Sequence, residues 1–289
     1  MSWDVNSEKP GGEGPLTPQG EPATVILATT SDLASRTLAG ALVGEQGFAP
    51  TGVAFMGKPV YQKGPLLLAF FEGPIVSPPD LDSFFNPQAY VFLSRHYAES
   101  GIPSLTGHTT GNFGDAKLGG ARGEMGRADP GLLKDYMMAL AARKGEAPAY
   151  QVTLEATHHG PTSLSKPVLF VELGSAEKQW GDGEAAKVVA EALVDALGHR
   201  RIWDKVALAF GGTHYPAKVN PAVMEGEFAV SFIAPKHALE GLDERMFAHM
   251  IERTAAPVRY ALVDWKGLGL HKEKVTKLIS QFGLELVRV

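Results

Sequence analysis

The sequence predicts an α/β protein, a three-layer α/β/α sandwich around a mixed, mostly parallel sheet. Short apolar runs of strand length alternate along the chain with longer amphipathic stretches of helix length, and this alternation favours a sheet covered by helices. Most of the apolar runs end in turns rich in Gly and polar residues, which is typical of strands that leave a sheet. No internal repeat or interdomain linker interrupts the pattern, so one large domain is predicted.

The first strand is predicted at residues 23–28, and the helix that follows it, capped by Thr30 or Ser31, runs toward Gly47. Further strands are predicted at residues 66–71, 89–93, 104–106, 152–154, 168–171, 206–210, 228–233 and 258–263. Further helices are predicted from the cap Asp129 to residue 142, from the cap Asp182 to Gly198, over about 240–253 and over about 268–282, with a loop at residues 114–128.

The N-terminal segment differs from the rest of the chain. Residues 1–21 contain several Pro-Gly combinations and almost no apolar side chains, so they cannot bury enough surface to become ordered. We therefore predict a flexible tail at residues 1–21 and a single α/β catalytic domain at residues 22–289.

The composition excludes several classes of protein. The chain of 289 residues is 44% hydrophobic and 20% charged, as in ordinary globular proteins. The absence of cysteine excludes disulfides, Cys-ligated zinc and thiol nucleophiles. No apolar run approaches the roughly 20 residues that cross a bilayer, and no signal-peptide pattern opens the chain, so a cytoplasmic protein is expected. The net charge of −5 gives no overall attraction to nucleic acid, which would have to bind a local basic patch.

Imidazole and carboxylate side chains recur in the turns after the predicted strands. The densest turn, Glu155–Pro161, holds an acid, a hydroxyl and two adjacent histidines before a Gly-Pro pair. Adjacent histidines on a strand point to opposite faces, so at most one should reach a site unless the backbone turns there. Because strand ends of an open α/β sheet meet at one edge, these turns are expected to form one cleft. The side chains concerned are His96, His108, Glu155, His158, His159, Glu172 and His214.

Such a cleft allows two mechanisms. In the first, imidazoles and a carboxylate hold zinc, which acidifies a bound water. In the second, a histidine acts as general base without metal, and backbone N–H groups of Gly160, Gly174 or Gly212 stabilise the oxyanion. The H-E-x-x-H metal motif is absent, and spacing alone does not separate the two.

These residues also carry a resemblance to a known family, the D-aminoacyl-tRNA deacylases of the archaeal and plant type. The resemblance extends from about Ala23 to the end of the chain, except that Gly107 stands where other members more often have an apolar residue. The motifs that carry it are Ser94-Arg95-His96, Ser104–Phe113, Glu155–Pro161, Glu172–Ser175 with Trp180, Gly211–Pro216 and Asp264–Gly267. The resemblance implies hydrolysis of the ester between a D-amino acid and the terminal ribose of tRNA, zinc as cofactor, and a phosphorylase/hydrolase-like α/β fold.

Roles follow from these motifs as expectations. Tight turns expose backbone N–H groups that can hold phosphate or carboxylate, so several residues of this kind are assigned to substrate. Catalysis is predicted for Glu155, His158, His159 and His214; metal binding for His96, His108, His158, Glu172 and His214; and substrate binding for Thr109, Gly111, Asn112, Gly174, Ser175, Gly212, Thr213 and Lys266.

Several alternatives stay open. Glu155 and Glu172 could form structural salt bridges to Arg95 or a lysine, since a charge at the end of an apolar strand needs a partner. The basic run at Lys266, Lys272, Lys274 and Lys277, with Arg200 and Arg201 second, is either a solvated surface or a phosphate-contacting patch. The alternative functions are another metallohydrolase or a nucleoside phosphorylase on the same fold, and a non-catalytic binder of charged tRNA ends. The expected partner is tRNA carrying a D-amino acid, with no membrane, no protein partner and a monomeric chain.

Overall fold

The computed structural model describes residues 24–289, and the predicted flexible tail at residues 1–21 lies outside the described residues. The strands are β1 (Thr24–Thr29), β2 (Ala49–Phe55), β3 (Lys58–Lys63), β4 (Leu66–Phe71), β5 (Ala89–Tyr97), β6 (Ser104–His108), β7 (Gln151–Leu154), β8 (Val168–Ser175), β9 (Lys205–Phe210), β10 (Phe228–Ala234), β11 (Tyr260–Val263) and β12 (Glu285–Arg288). The α-helices are α1 (Leu33–Glu45), α2 (Pro130–Ala142), α3 (Glu177–Trp180), α4 (Gly183–Gly198), α5 (Val219–Met224), α6 (Glu244–Glu252) and α7 (Lys272–Gln281).

The larger sheet has eight strands in the order β2-β3-β4-β1-β5-β8-β6-β7. Its centre is parallel, with β1 between β4 and β5 and with β5 beside β8. The β2-β3 and β3-β4 pairs are antiparallel, and β6 also runs antiparallel to β8 before pairing in parallel with β7. The α/β class and the mixed, mostly parallel sheet are therefore confirmed.

The last four strands, from β9 onward, form a second sheet and do not extend the first. Its order is β10-β9-β11-β12, with every pair parallel. Both edges of β9 are occupied by β10 and β11, so β9 has no free edge for the larger sheet. Apolar runs identify strands but not their hydrogen-bonding neighbours, which is why the division into two sheets is not visible in the sequence.

The two faces of the larger sheet have different neighbours. Alternate side chains of β8, namely Leu169, Val171 and Leu173, belong to the core that also contains residues of α1, α2 and α4. Phe170 and Glu172 point to the opposite face, because successive side chains of a strand alternate. Phe170 lies there in a separate apolar cluster formed mainly by other strands of the sheet, and its ring stacks on that of Phe92 at 5.0 Å. The polar site described below lies on this second face.

Two strands run further than the sequence predicted. The predicted ends at residues 93 and 171 treat His96 and Glu172 as turn residues, whereas β5 continues to Tyr97 and β8 to Ser175. Glu172 therefore lies inside a strand, hydrogen-bonded in register with Ser94 of β5 and Thr106 of β6. A buried charge is stable only when it has a partner. The partners of Glu172 are distant in the sequence, so the sequence pattern alone makes this residue look like the end of the strand.

Helix starts follow local capping. The predicted caps Asp129 and Asp182 are confirmed, since their side chains accept from Leu132 N and Ala185 N. The prediction of Thr30 or Ser31 for α1 is wrong, because the side chain of Asp32 accepts the hydrogen bond from Ser35 N.

A buried lysine joins helix α2 to the end of α5. Lys134 is fully buried, and its ammonium donates to the carbonyls of Val223 at 2.6 Å and Gly226 at 2.7 Å. Burial lowers the pKa of Lys134 to about 8. The ring of Trp203 lies 4.3 Å from the ammonium, which adds a cation–π contact.

Replacing Lys134 by Met is expected to destabilise the protein by about 2–4 kcal/mol, because two buried carbonyls lose their donor. In the wild type, the unfolded state binds more protons than the folded state between the lowered pKa of about 8 and the ordinary value of 10.5. The contribution of Lys134 to stability should therefore rise with pH across this window. Urea unfolding at pH 7, 8.5 and 9.5 measures both effects, and the exposed Lys144→Met is the control. An unchanged unfolding midpoint for Lys134→Met would contradict the assignment.

Candidate active site

One cluster of side chains on the second face of the larger sheet contains the residues predicted for catalysis and metal binding. Strands β5, β8 and β6 supply His96, Glu172 and His108, and the turn after β7 supplies the segment Glu155–Pro161. His214 follows β9 of the other sheet. The rings of His108 and His158 lie 4.2 Å apart, and those of His158 and His214 lie 4.7 Å apart. The predicted convergence of these turns is confirmed, although their chemical roles stay predictions.

The backbone at His159 explains how adjacent histidines reach one site. His159 has a φ of +43°, a left-handed conformation that non-glycine residues adopt rarely. The chain therefore turns there, and the rings of His158 and His159 lie 4.3 Å apart instead of on opposite faces. Gly160 anchors this turn, since its N–H donates to the carbonyl of Leu118 at 3.1 Å.

Two buried carboxylates share one imidazole. The Nδ1 atom of His96 lies 3.1 Å from Oε1 of Glu155 and 3.3 Å from Oε2 of Glu172. Burial alone would lower the pKa of His96, but hydrogen bonds to both carboxylates outweigh it and raise the pKa to about 11. Burial alone would raise the pKa of Glu155, but hydrogen bonds from His214 and His96 hold it well below the ordinary value. The Nε2 atom of His214 lies 2.6 Å from Oε2 of Glu155, so Glu155 joins the two sheets as an ionised centre.

Three imidazoles are held in the same way, each by a hydrogen bond from Nδ1 to a backbone carbonyl. The Nδ1 atoms of His108, His158 and His159 lie 3.1, 2.8 and 2.7 Å from backbone carbonyls of Thr109, Ala156 and Gly160. A carbonyl only accepts, so Nδ1 carries the hydrogen in each ring and Nε2 is left to face the site. Burial and the neighbouring histidines lower the pKa of His158 well below its ordinary value, and burial together with His108 lowers that of His159 to about 3. Both rings are therefore neutral bases at pH 7.

The same cluster fits a zinc ion. Three groups each bring one ligand atom per residue within 4.8 Å of the others: His108 with His158 and His159; Glu155 with His158 and His214; and His96 with Glu155 and Glu172. Nε2 of His108 and Oε1 of Glu155 are buried and lack a well-aligned hydrogen-bond partner, as atoms meant for a metal would. Imidazole nitrogens and carboxylate oxygens are ligands that zinc prefers, and Nδ1–H bonds to carbonyls are the usual support for such imidazoles.

Three cavities meet at this cluster. The largest, about 950 Å³, extends from Glu155, His158 and His214 to Arg95 and Trp180. A second, about 660 Å³, lies on the other side of His158 and His159 and is lined by Gly111 and Asn112. A third, about 460 Å³, is lined by His214 together with Gly212, Thr213, Lys236, His237, Glu240 and His271.

The predicted substrate-binding residues divide into two groups. Gly111, Asn112, Gly212 and Thr213 line the cavities just described, whereas Thr109, Gly174, Ser175 and Lys266 line none of the three.

The first three of these four residues are held in packing contacts. The Thr109 hydroxyl donates to the Ser231 carbonyl at 2.6 Å, and the Ser175 hydroxyl donates to the Ile102 carbonyl at 2.6 Å. A Cβ added at Gly174 would lie 2.2 Å from the carbonyl oxygen of His96, which explains the glycine by close packing.

Two aromatic residues near the site had no role assigned from the sequence. The Tyr215 hydroxyl lies 2.7 Å from Nε2 of His96, and the Trp180 indole donates to the His96 carbonyl at 2.8 Å. The guanidinium of Arg95 lies 5.3 Å from the ring of Trp180, on the wall of the largest cavity. Both aromatics belong to the motifs shared with the deacylase family. Their contacts are with His96, more than eighty positions away in the sequence, so no local sequence pattern predicts them.

No helix in the described part of the chain combines the length and apolar character needed to cross a bilayer.

Comparisons with known proteins agree with one another. A family model described as D-aminoacyl-tRNA deacylase matches residues 83–287. A D-aminoacyl-tRNA deacylase of Cenarchaeum symbiosum is 40% identical over 220 residues, which cover 76% of this chain and 85% of that protein. One of Thermococcus onnurineus is 35% identical over 272 residues, covering 91% of this chain and 99% of the relative. The crystal structure of a conserved protein of unknown function, AF0625, superposes with a TM-score of 0.85 at 27% identity and covers 92% of this chain and 95% of that one. The chain therefore belongs to the D-aminoacyl-tRNA deacylase family.

Proposed function

We propose that this protein hydrolyses the ester bond of D-aminoacyl-tRNA and releases the D-amino acid and free tRNA. Membership of the family supports the reaction, because the relatives carry that activity in their names. The site supports it independently, since a cleft that holds neutral imidazoles beside ionised carboxylates suits the activation of water for ester hydrolysis. The cytoplasm, where charged tRNA is used, is the corresponding place of action.

The observation that carries the proposal is the pairing of His158 with Glu155. Nε2 of His158 has no hydrogen when the ring is neutral, and it lies 3.8 Å from Oε2 of Glu155. A water molecule between His158 and the ester carbonyl would give one proton to Nε2 as its oxygen attacks the carbonyl carbon, and the adjacent carboxylate would stabilise the imidazolium that forms. The imidazolium would return this proton to the ribose oxygen as the ester bond breaks. His214, bonded to the same carboxylate oxygen, keeps Glu155 oriented toward the site.

A second group of residues supplies a hydrogen-bond donor for the reacting carbonyl. His96 is protonated at neutral pH, with Nδ1 between the two carboxylates. Its Nε2–H donates to the oxygen of Tyr215 at 2.7 Å, which leaves the Tyr215 hydroxyl hydrogen as a donor. Fixed donors of this kind stabilise negative charge that develops on a carbonyl or leaving-group oxygen.

Zinc is the proposed cofactor, held by His108, His158, His159, His214 and Glu155 in the groups described above. When bound, it would acidify a water molecule and polarise the ester carbonyl. Nε2 of His158 can either bind zinc or act as the general base, but not both at once. The zinc content of the active protein therefore distinguishes the two mechanisms.

The proposed function is tested with D-Tyr-tRNA and L-Tyr-tRNA, each incubated with the purified protein before and after treatment with a chelator. We expect the D ester to be hydrolysed at least a hundredfold faster than the L ester, because only one configuration places the carbonyl against the fixed base and donors. We also expect the chelator to release zinc, measured by mass spectrometry, and to reduce turnover until zinc is restored. Folded, zinc-loaded protein that leaves D-Tyr-tRNA intact would refute the deacylase, and full activity of a metal-free sample would refute the zinc site.

A further inference from the structure

The third cavity contains a basic cluster that the mechanism above does not use. Lys236, His237 and His271 line it together with Gly212, Thr213 and Glu240, and it adjoins the active site through His214. Lys236 and His237 are exposed. We propose that this groove, the Lys236 groove, binds the backbone phosphate next to the terminal nucleotide of the tRNA substrate. The inference rests on the proposed function and deepens it.

The charge of the groove is the first argument. Within residues 24–289, the Lys236 ammonium forms no ion pair and no hydrogen bond with another side chain or carbonyl. Imidazole N–H groups donate in either protonation state, so His237 and His271 add donors beside this cation. The chain as a whole carries a net charge of −5, so an anionic substrate needs a local positive region of this kind. Glu240 is the carboxylate on the wall of the groove, and it faces the second cavity as well.

The groove is built rather than loosely assembled from surface side chains. The N–H of Lys236 donates to the Gly212 carbonyl at 2.9 Å, which fixes the start of the segment beside the turn that carries His214. A Cβ added at Gly269 would lie 2.8 Å from Cε of Lys236, so the lysine stem rests on that glycine. The ammonium of Lys274 donates to the carbonyls of Leu239 at 3.1 Å and Glu240 at 2.7 Å, which holds the end of the segment.

These contacts bear on the basic run at residues 266–277, which the sequence left open as a phosphate-contacting patch. Lys274 is engaged with backbone carbonyls, and Lys272 lies 5.4 Å from the ring of Trp265. Two of the four lysines of that patch thus have partners within the protein. The cation that is both unpaired in the described chain and adjacent to His214 is Lys236, which the sequence patch did not include.

The chemistry favours phosphate over a metal ion. Within the described residues, the groups of three ligands close enough for a metal are those of the active site, and His237, His271 and Glu240 form none. A lysine with imidazole donors is suited to a phosphate oxygen. In the substrate, one nucleotide separates the ester from the preceding phosphodiester. The Lys236 groove starts at His214 and contains an unpaired cation, so a phosphate bound there would lie next to the active site.

Lys236→Gln tests the proposal, with Lys144→Gln as the matched control because Lys144 is exposed, lies outside the basic run at residues 266–277 and lines none of the three cavities. Two substrates are compared: D-Tyr-tRNA, and D-tyrosyl-adenosine, which has the same ester and no phosphate. For Lys236→Gln, the ratio of kcat/KM for the tRNA to that for the adenosine ester should fall about tenfold, mainly through KM, as for the loss of one phosphate contact. The slope of log KM against log salt should decrease by about 0.7 for one single-stranded phosphate contact. For Lys144→Gln both quantities should stay at the wild-type value.

Two results would overturn the Lys236 groove. One is an unchanged ratio in Lys236→Gln, and the other is an equal loss on both substrates, which would assign the lysine a structural role. If the wild type hydrolyses neither ester, the proposed function fails, and the groove is then judged by binding alone. In that case the fluorescence anisotropy of a labelled, uncharged RNA ending in CCA should still report an affinity about fivefold weaker for Lys236→Gln than for Lys144→Gln, and equal affinities would refute the groove.

Discussion

Glu155→Gln is expected to lower kcat for D-Tyr-tRNA by about 10³-fold, within the range attributed to general acid–base catalysis. Oε2 of Glu155 accepts a hydrogen bond of 2.6 Å from His214, and Oε1 lies 3.1 Å from Nδ1 of His96 in an ion pair. Gln has one accepting oxygen, so its amide hydrogens would face an imidazole donor. The substitution also removes a negative charge that keeps His96 protonated, so the pKa of His96 should fall toward its ordinary value.

The control for this substitution is Glu227→Gln, because Glu227 forms an exposed ion pair with Lys205 far from the cluster. Exposed pairs contribute little, and the control should keep wild-type turnover. The kinetic measurement is single-turnover deacylation, and the pKa of His96 is followed by NMR titration of its ring protons. Glu155→Gln protein that is folded and retains more than a tenth of the wild-type kcat would contradict the central role given to this carboxylate.

Gly160→Ala is expected to lower kcat/KM by about 100-fold and the free energy of unfolding by about 1–3 kcal/mol. A Cβ at residue 160 would lie 2.3 Å from the backbone nitrogen of Gly120 and 2.6 Å from the carbonyl carbon of Gly119. Backbone atoms cannot rotate away as a flexible side chain does, so either this loop or the turn carrying His158 and His159 must move.

Gly114→Ala is the matched control, since it lies in the same loop and an added Cβ would meet nothing within 4 Å. Steady-state kinetics and urea unfolding on both variants separate a displaced active site from general instability. The Gly114 variant should match the wild type in both measurements. If Gly160→Ala also matched the wild type, the packing of this turn against residues 119 and 120 would not position the histidines.

The grouping of the site was visible in the sequence because each residue concerned stands close to a strand end or a turn. His108 ends β6, Glu155 follows β7 and His214 follows β9, so their approach needed only that these turns meet. Ring orientation was not visible. It depends on the left-handed backbone at His159 and on carbonyl partners of Nδ1 that the loop geometry supplies.

The parts of the fold that were missed have weak local patterns. Strand β2 is mostly exposed and β3 is mostly half-buried, with one buried residue in each, so the hairpin lacks the apolar alternation that marks a strand. The position of β6 antiparallel to β8 depends on pairing between residues from Ser104↔Gly174 to His108↔Phe170, which are more than sixty positions apart, and no local pattern records such pairing. The role of Lys274 was missed for the same reason, since its carbonyl partners precede it by more than thirty residues.

The segment that follows β7 is hydrogen-bonded to two parts of the second sheet, the turn after β9 and strand β10. Ala156 N–H donates to the His214 carbonyl at 2.7 Å, Thr157 N–H donates to the Ile233 carbonyl at 3.0 Å, and Ile233 N–H returns a bond of 3.0 Å to the Thr157 hydroxyl. These bonds keep His214 beside Glu155, so a displacement of one sheet from the other would separate the two residues. The alignment of the active site therefore depends on how the two sheets are joined, as well as on the packing within each of them.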